Sequence, residues 1–117
     1  IWVCCCYVEK EKGLIMLKVC LVGSTSQEAD WREYTSLLTQ KGYIVFEAGS
    51  YDKNVSKEIW DIVGEVHWGK IDLSDIVAVI PKPDEAPLGY DTNKDINYAL
   101  SKGKVVKFVT TLLNGSK

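Results

Sequence analysis

The chain has only three prolines, and all of them fall in one stretch, residues 81–90, so that stretch reads as a loop. It has one histidine, His67, which argues against a zinc site. Its four cysteines make neither a disulfide framework nor a spaced ligand set, because Cys4, Cys5 and Cys6 are adjacent and Cys20 lies in an apolar run. Adjacent side chains on an extended segment point to opposite faces, so the triplet does not converge readily on one metal. This cysteine usage leads us to expect a reducing, cytoplasmic setting. There is no basic excess: the formal net charge is −2. A polymeric nucleic acid is therefore not expected as a partner. No apolar run reaches the length of a membrane span, so no membrane partner is expected. Internal repeats and low-complexity tracts are also missing.

What is present suits a globular α/β domain. The 117 residues are 46% hydrophobic and 26% charged, enough for one domain with a real core. Residues 1–15 read as an N-terminal extension, either an added strand or a signal-like stub that lacks a charged lead-in and a small-residue cleavage site. Met16-Leu-Lys-Val looks like the start of the domain proper, residues 16–117.

From there strands and helices alternate. Leu17–Val22 is a short apolar run, a buried strand, ending in the turn Gly23-Ser24-Thr25-Ser26. Ser26 could cap a helix from about Gln27 to Lys41, with Trp31, Tyr34, Leu37 and Leu38 on its inner face. Tyr43–Glu47 reads as a second strand. Ser56–Leu73 reads as a helix burying Ile59, Ile62, Val63, Val66 and Trp60, although Gly64 and Gly69 weaken it. Ile76–Ile80 is unbroken apolar sequence, which suits a parallel strand covered on both faces. Thr92–Ser101 is expected to be helical, with Ile96, Ala99 and Leu100 inward and Gly103 closing it. Val105–Val109 is a fourth strand, and Thr110–Lys117 a short fifth strand or a tail. The alternation predicts a flavodoxin/Rossmann-like three-layer fold with a four- to five-stranded parallel sheet and right-handed crossovers.

Two places could carry chemistry. Gly23-Ser24-Thr25-Ser26 follows the first strand, and its N–H groups and hydroxyls could hold a phosphate, a sugar or a carboxylate. They equally suit a turn and helix cap. In Asp91-Thr92-Asn93-Lys94-Asp95, Asp91 or Thr92 could cap the helix, with Asp95 in its first turn completing a capping pair. The functional alternative places Asp95 in the cleft as nucleophile or electrostatic stabiliser. Upstream, His67, Lys70 and Ile71 share one helical face. A lone His is more often structural, a Lys is most often solvated, and Asp75 before its strand reads as a cap or turn residue.

At these residues the chain resembles the nucleoside 2-deoxyribosyltransferase-like superfamily, in particular its small bacterial and phage members. The matching series is Gly23-Ser24, then His67, Lys70, Ile71, Asp72 and Asp75, then Thr92, Ile96, Tyr98, Ala99, Gly103 and Lys104. It runs from Leu17 to about Val109. The resemblance implies a five-stranded parallel sheet and a homo-oligomer. It also implies cleavage of the N-glycosidic bond of a nucleoside or nucleotide, with transfer of the sugar to a base or to water and no cofactor. In that family a glutamate attacks the anomeric carbon, as in a retaining glycosidase.

The family glutamate falls on Asp95, one methylene shorter, and a reacting group misplaced by ~1 Å can cost roughly 10²-fold in rate. Asp91 stands where many members have glycine. The resemblance therefore implies Asp95 as nucleophile with Asp91 assisting. Gly23, Ser24, Thr25 and Thr92 would bind sugar or phosphate, and His67 and Lys70 would sit at the cleft. The alternatives are a non-catalytic nucleotide-binding module, motivated by the Glu-to-Asp change, and a flavodoxin-like flavin binder. In the flavin reading Tyr51 and Tyr90 would flank the ring.

Overall fold

A computed structural model describes residues 7–10 and 13–114. Cys4, Cys5 and Cys6 lie outside the described residues. The chain opens with an antiparallel hairpin, β1 (Tyr7–Lys10) and β2 (Gly13–Met16), in which Tyr7 lies opposite Met16. The hairpin is a separate two-stranded sheet. The boundary expected at residues 15/16 falls inside its second strand.

The main sheet begins at β3 (Lys18–Val22). A 3₁₀ turn at Thr25–Gln27 leads into α1 (Glu28–Gln40), β4 (Ile44–Phe46) and α2 (Lys57–Leu73). Next come β5 (Ile76–Val79), α3 (Tyr90–Ser101), β6 (Val105–Phe108) and α4 (Val109–Asn114). The four main strands are parallel, in the order β4-β3-β5-β6. This is the three-layer α/β architecture the alternation predicts, with four strands. The fifth strand allowed for after residue 109 is not made: Val109–Asn114 is a helix whose Val109 and Leu112 are buried.

Strand alternation builds two cores. Val19 and Leu21 of β3, with Ala78 and Ile80 at β5, face α1 and α4, where Trp31, Leu38, Val109 and Leu112 complete the cluster. Cys20 and Val22, with Val77 and Val79, face the other way, against Ile71 of α2 and Ala99 of α3. The unbroken apolar runs of β3 and β5 therefore mark strands buried on both faces.

Several local expectations need correction. Ser24, not Ser26, caps the first helical turn, its Oγ accepting from Ser26 N. The third helix starts at Tyr90 with Gly89 at its N-cap and no side-chain capping bond, so neither Asp91 nor Thr92 is the cap. Asp95 consequently falls in the second turn. Leu37 and Leu100 are exposed rather than inward. Ile59, Ile62 and Val66 are also exposed, and α2 instead buries His67 and Ile71. Two apolar faces compete on α2, and the sheet takes the one carrying His67 and Ile71.

Candidate active site

Strand order reverses between β3 and β5, since the chain goes to β4 on one side and to β5 on the other. Ligands of open α/β sheets bind at such switch points, beyond the carboxyl ends of the strands. A cavity of about 570 Å³ lies there, within the range of small-molecule sites. Its walls come from the loops after β3, β4 and β5, the start of α3 and one face of α2.

The loop after β3 contributes Gly23, Ser24 and Thr25. Gly23 is needed for packing: a Cβ there would lie 2.9 Å from Ile80 Cβ. The Ser24 carbonyl accepts from Trp31 Nε1 at 2.9 Å and from Gln27 N at 3.0 Å, which holds the loop in shape. Ser24 Oγ and Ser26 Oγ are 2.7 Å apart.

The start of α3 contributes Tyr90, Asp91, Thr92, Lys94 and Asp95. Thr92 is buried, and Asp91 and Asp95 are one turn apart on a shared face. Asp95 Oδ1 accepts a hydrogen bond from Trp68 Nε1 of α2 at 2.8 Å. Burial pushes the Asp95 carboxyl up to about 6, and the negative Asp91 adds to that, while the Trp68 bond and the positive Lys94 act in the opposite direction. Its charge can therefore be lost or gained close to neutral pH.

His67 lines the cavity and is almost fully buried. Its Nε2 lies 2.8 Å from the Leu21 carbonyl oxygen and 3.7 Å from Cys20 Sγ. A carbonyl can only accept, so Nε2 carries the proton and Nδ1 is left as an acceptor. Burial pushes the imidazole down to about 4, a shift that the positive Lys70 reinforces and the Leu21 bond opposes. At neutral pH His67 is uncharged. The same burial pushes the Cys20 thiol up to about 12, so it is not a nucleophile at neutral pH.

Gly23, Ser24, Thr25, His67, Thr92, Asp91 and Asp95 are thus brought together around one cavity. Lys70 is not among its lining residues. Its Nζ donates to the Glu47 carbonyl at 2.8 Å and ties α2 to the end of β4. Asp72 and Asp75 also serve the scaffold. Asp72 accepts from Tyr98 OH, and Asp75 Oδ2 accepts from Lys18 N at 2.8 Å. Tyr51 and Tyr90 do not pair across a ligand slot: Tyr51 packs edge-on against Trp31 at 5.9 Å, away from the lining, while Tyr90 lies in it.

Sequence reasoning did not single out Trp68, Lys53, Lys82 or Lys94, all of which line the cavity. Lys94 Nζ lies 5.9 Å from the Trp68 ring centroid and 5.6 Å from that of Tyr90. Three of the four sit beside residues already noted, but nothing in their own spacing aims them at the cavity. The site therefore offers four carboxylates (Asp61, Glu65, Asp91 and Asp95), an uncharged imidazole, aromatic faces and three ammonium groups. That set can take a planar, polar small molecule, with both acceptors and cationic donors at hand.

No protein-family model matches the chain, and no curated protein matches it. Among solved structures the chain is similar to a CMP N-glycosidase of Clostridium botulinum, BcmB, with a TM-score of 0.51 and 18% identity. The likeness covers 76% of this chain and 67% of that one. At that identity it is a likeness of fold, and it agrees with the parallel sheet and flanking helices described above. Among the described residues, no helix is long and apolar enough to cross a membrane.

Proposed function

We propose that this protein cleaves the N-glycosidic bond of a nucleoside or nucleotide, with Asp95 as the nucleophile. The observation that carries the reading is the placement of Asp95: a partly buried carboxylate on the wall of the switch-point cavity, with a second carboxylate, Asp91, one turn away. The fold likeness to a glycosidase of CMP supports the substrate class without assigning a residue.

In this reading an Asp95 oxygen bonds to the anomeric carbon as the carbon–nitrogen bond breaks. The bonding pair leaves with the base, which takes up a proton, with Asp91 placed to assist. The sugar is left as an ester of Asp95. Attack by water, or by a second base, at the same carbon returns the free carboxylate and completes hydrolysis or transfer. The Gly23–Thr25 loop and Thr92 hold the sugar, and any phosphate would be met by Lys53, Lys82 and Lys94. His67, uncharged, offers Nδ1 as an acceptor to a hydroxyl or base N–H. No metal or organic cofactor enters any step. The reading includes a homo-oligomer.

A non-catalytic nucleotide-binding module is the second reading. The shortness of the Asp95 side chain and its engagement with Trp68 favour it, since both restrain the reach of the carboxylate.

Chromatographic detection of free base across a panel of deoxynucleosides, ribonucleosides and their monophosphates tests the proposal. Base release is expected for at least one substrate, and Asp95→Ala is expected to abolish it while the fold survives. Turnover unchanged in Asp95→Ala would overturn Asp95 as nucleophile. Tight nucleotide binding with no release, in both the native chain and Asp95→Glu, would establish the binding module.

A further inference from the structure

Helices α2 and α3 are cross-linked by two hydrogen bonds of reciprocal pattern. Trp68 Nε1 of α2 donates to Asp95 Oδ1 of α3 at 2.8 Å, and Tyr98 OH of α3 donates to both Asp72 oxygens of α2 at 2.9 and 3.0 Å. Trp68 and Asp72 are one turn apart, as are Asp95 and Tyr98. The two rings lie against each other, with centroids 4.2 Å apart and planes 10° from parallel. Lys94 and Lys102 place their ammonium groups 5.9 Å from the Trp68 centroid and 5.4 Å from the Tyr98 centroid. The indole therefore has little freedom to turn, and its N–H points at a carboxylate on the cavity wall.

We propose that Trp68 is a positioning residue for Asp95: the indole N–H holds Oδ1, fixes the plane of the carboxylate and leaves Oδ2 as the oxygen presented to a ligand. This rests on the reading of Asp95 as nucleophile. Aspartate has one rotatable bond fewer than glutamate and a shorter reach, so its plane must be set by a partner rather than by adjustment of its own chain. An N–H bond to a charged oxygen is directional and among the stronger hydrogen bonds. It also favours the ionised carboxylate, opposing the effect of burial.

Trp68→Phe removes the N–H and keeps a ring against Tyr98. Three measurements test the proposal. First, in the native protein the Trp68 indole ¹H–¹⁵N resonance is expected to follow the ionisation of Asp95, with a midpoint near 6, and to lose that response in Asp95→Asn. Second, the Asp95 carboxyl carbon in ¹³C-labelled protein is expected to titrate at higher pH in Trp68→Phe than in the native chain, by about half a unit or more. Third, base release in Trp68→Phe is expected to lose about tenfold to a hundredfold in kcat with KM little changed, its acid limb moving with the carboxyl.

An indole resonance that ignores pH overturns the proposal without any variant having to fold. So does an Asp95 titration that is the same with and without Trp68. Base release that depends on Asp95 but not on Trp68 also overturns it, and leaves the proposed function intact. Coupled titration in a protein that releases no base supports the Trp68–Asp95 bond and removes Asp95 as nucleophile.

Discussion

Asp95 and His67 line the same cavity, and burial moves both away from their charged forms. Their effects on stability have opposite signs. Asp95 has a folded value of about 6 against an ordinary 3.8, so ionising it costs stability as pH rises through that interval. His67 has a folded value of about 4 against an ordinary 6.5, so protonating it costs stability as pH falls through that interval. Over the shared window the two slopes oppose, and the native chain is expected to show a shallow dependence there. Asp95→Asn removes the first slope and can still accept from Trp68. It is expected to be about 1–3 kcal/mol more stable than the native chain at about pH 8, to show little gain at about pH 4, and to lose stability on acidification through His67. Urea unfolding at the two pH values checks this. A variant that is no more stable than the native chain at the higher pH would mean that Asp95 is not significantly desolvated.

The helices and loops owe their placement to a few close contacts. Gly23 ends β3 against Ile80, and a methyl group there would meet Ile80 Cβ at 2.9 Å. Gly23 follows directly on β3 and Ile80, fully buried, follows directly on β5, so neither can withdraw easily. Gly23→Ala is expected to destabilise the protein by about 1–3 kcal/mol and to distort the loop carrying Ser24 and Thr25. Thermal unfolding with ligand titration measures both effects, and an unchanged melting temperature would show that the strand ends can part. Lys104 closes the far end of α2, its Nζ donating to the Asp72 and Ser74 carbonyls at 3.0 Å each. A cation at a helix C-terminus satisfies carbonyls that have no partner within the helix. Gly103, one residue earlier, has a positive φ of 74°, which lets the chain turn from α3 into β6. So the Gly103-Lys104 pair, visible in the sequence as part of a familiar series, earns its place through the scaffold rather than the cleft.

At the scale of the whole molecule, an apolar line on α2 stands uncovered among the described residues. Ile59, Ile62, Val66 and Leu73 are 49%, 58%, 53% and 64% exposed, and their spacings of three, four and seven residues put them on one stripe of α2. A stripe of that period is the pattern by which one helix packs along another. The opposite side of α2 lines the cavity, so α2 would stand between a second copy docked on the stripe and the site. This supports the proposed homo-oligomer. Light scattering is expected to find the native chain larger than a monomer, and Ile62→Glu with Val66→Glu is expected to return it to a monomer while circular dichroism stays unchanged. A monomeric native chain would refute the homo-oligomer.

The sequence by itself determined the two central strands of the sheet. Val19–Val22 and Ile76–Ile80 are apolar at every position because both sides of a central parallel strand are covered, and that requirement is written residue by residue. It also determined the position of the β3 loop, which follows local strand and turn signals, whereas local spacing left Asp95 open between a helix-cap role and a cleft role. Tertiary structure alone decided which face of α2 turns inward, since that helix carries two apolar faces and only the sheet selects between them. It alone decided that Lys70 serves the β4 loop and that Asp72 binds Tyr98. It alone brought Trp68 to Asp95, residues 27 positions apart, because a hydrogen bond between two helices depends on their crossing over the sheet and leaves no trace in local spacing.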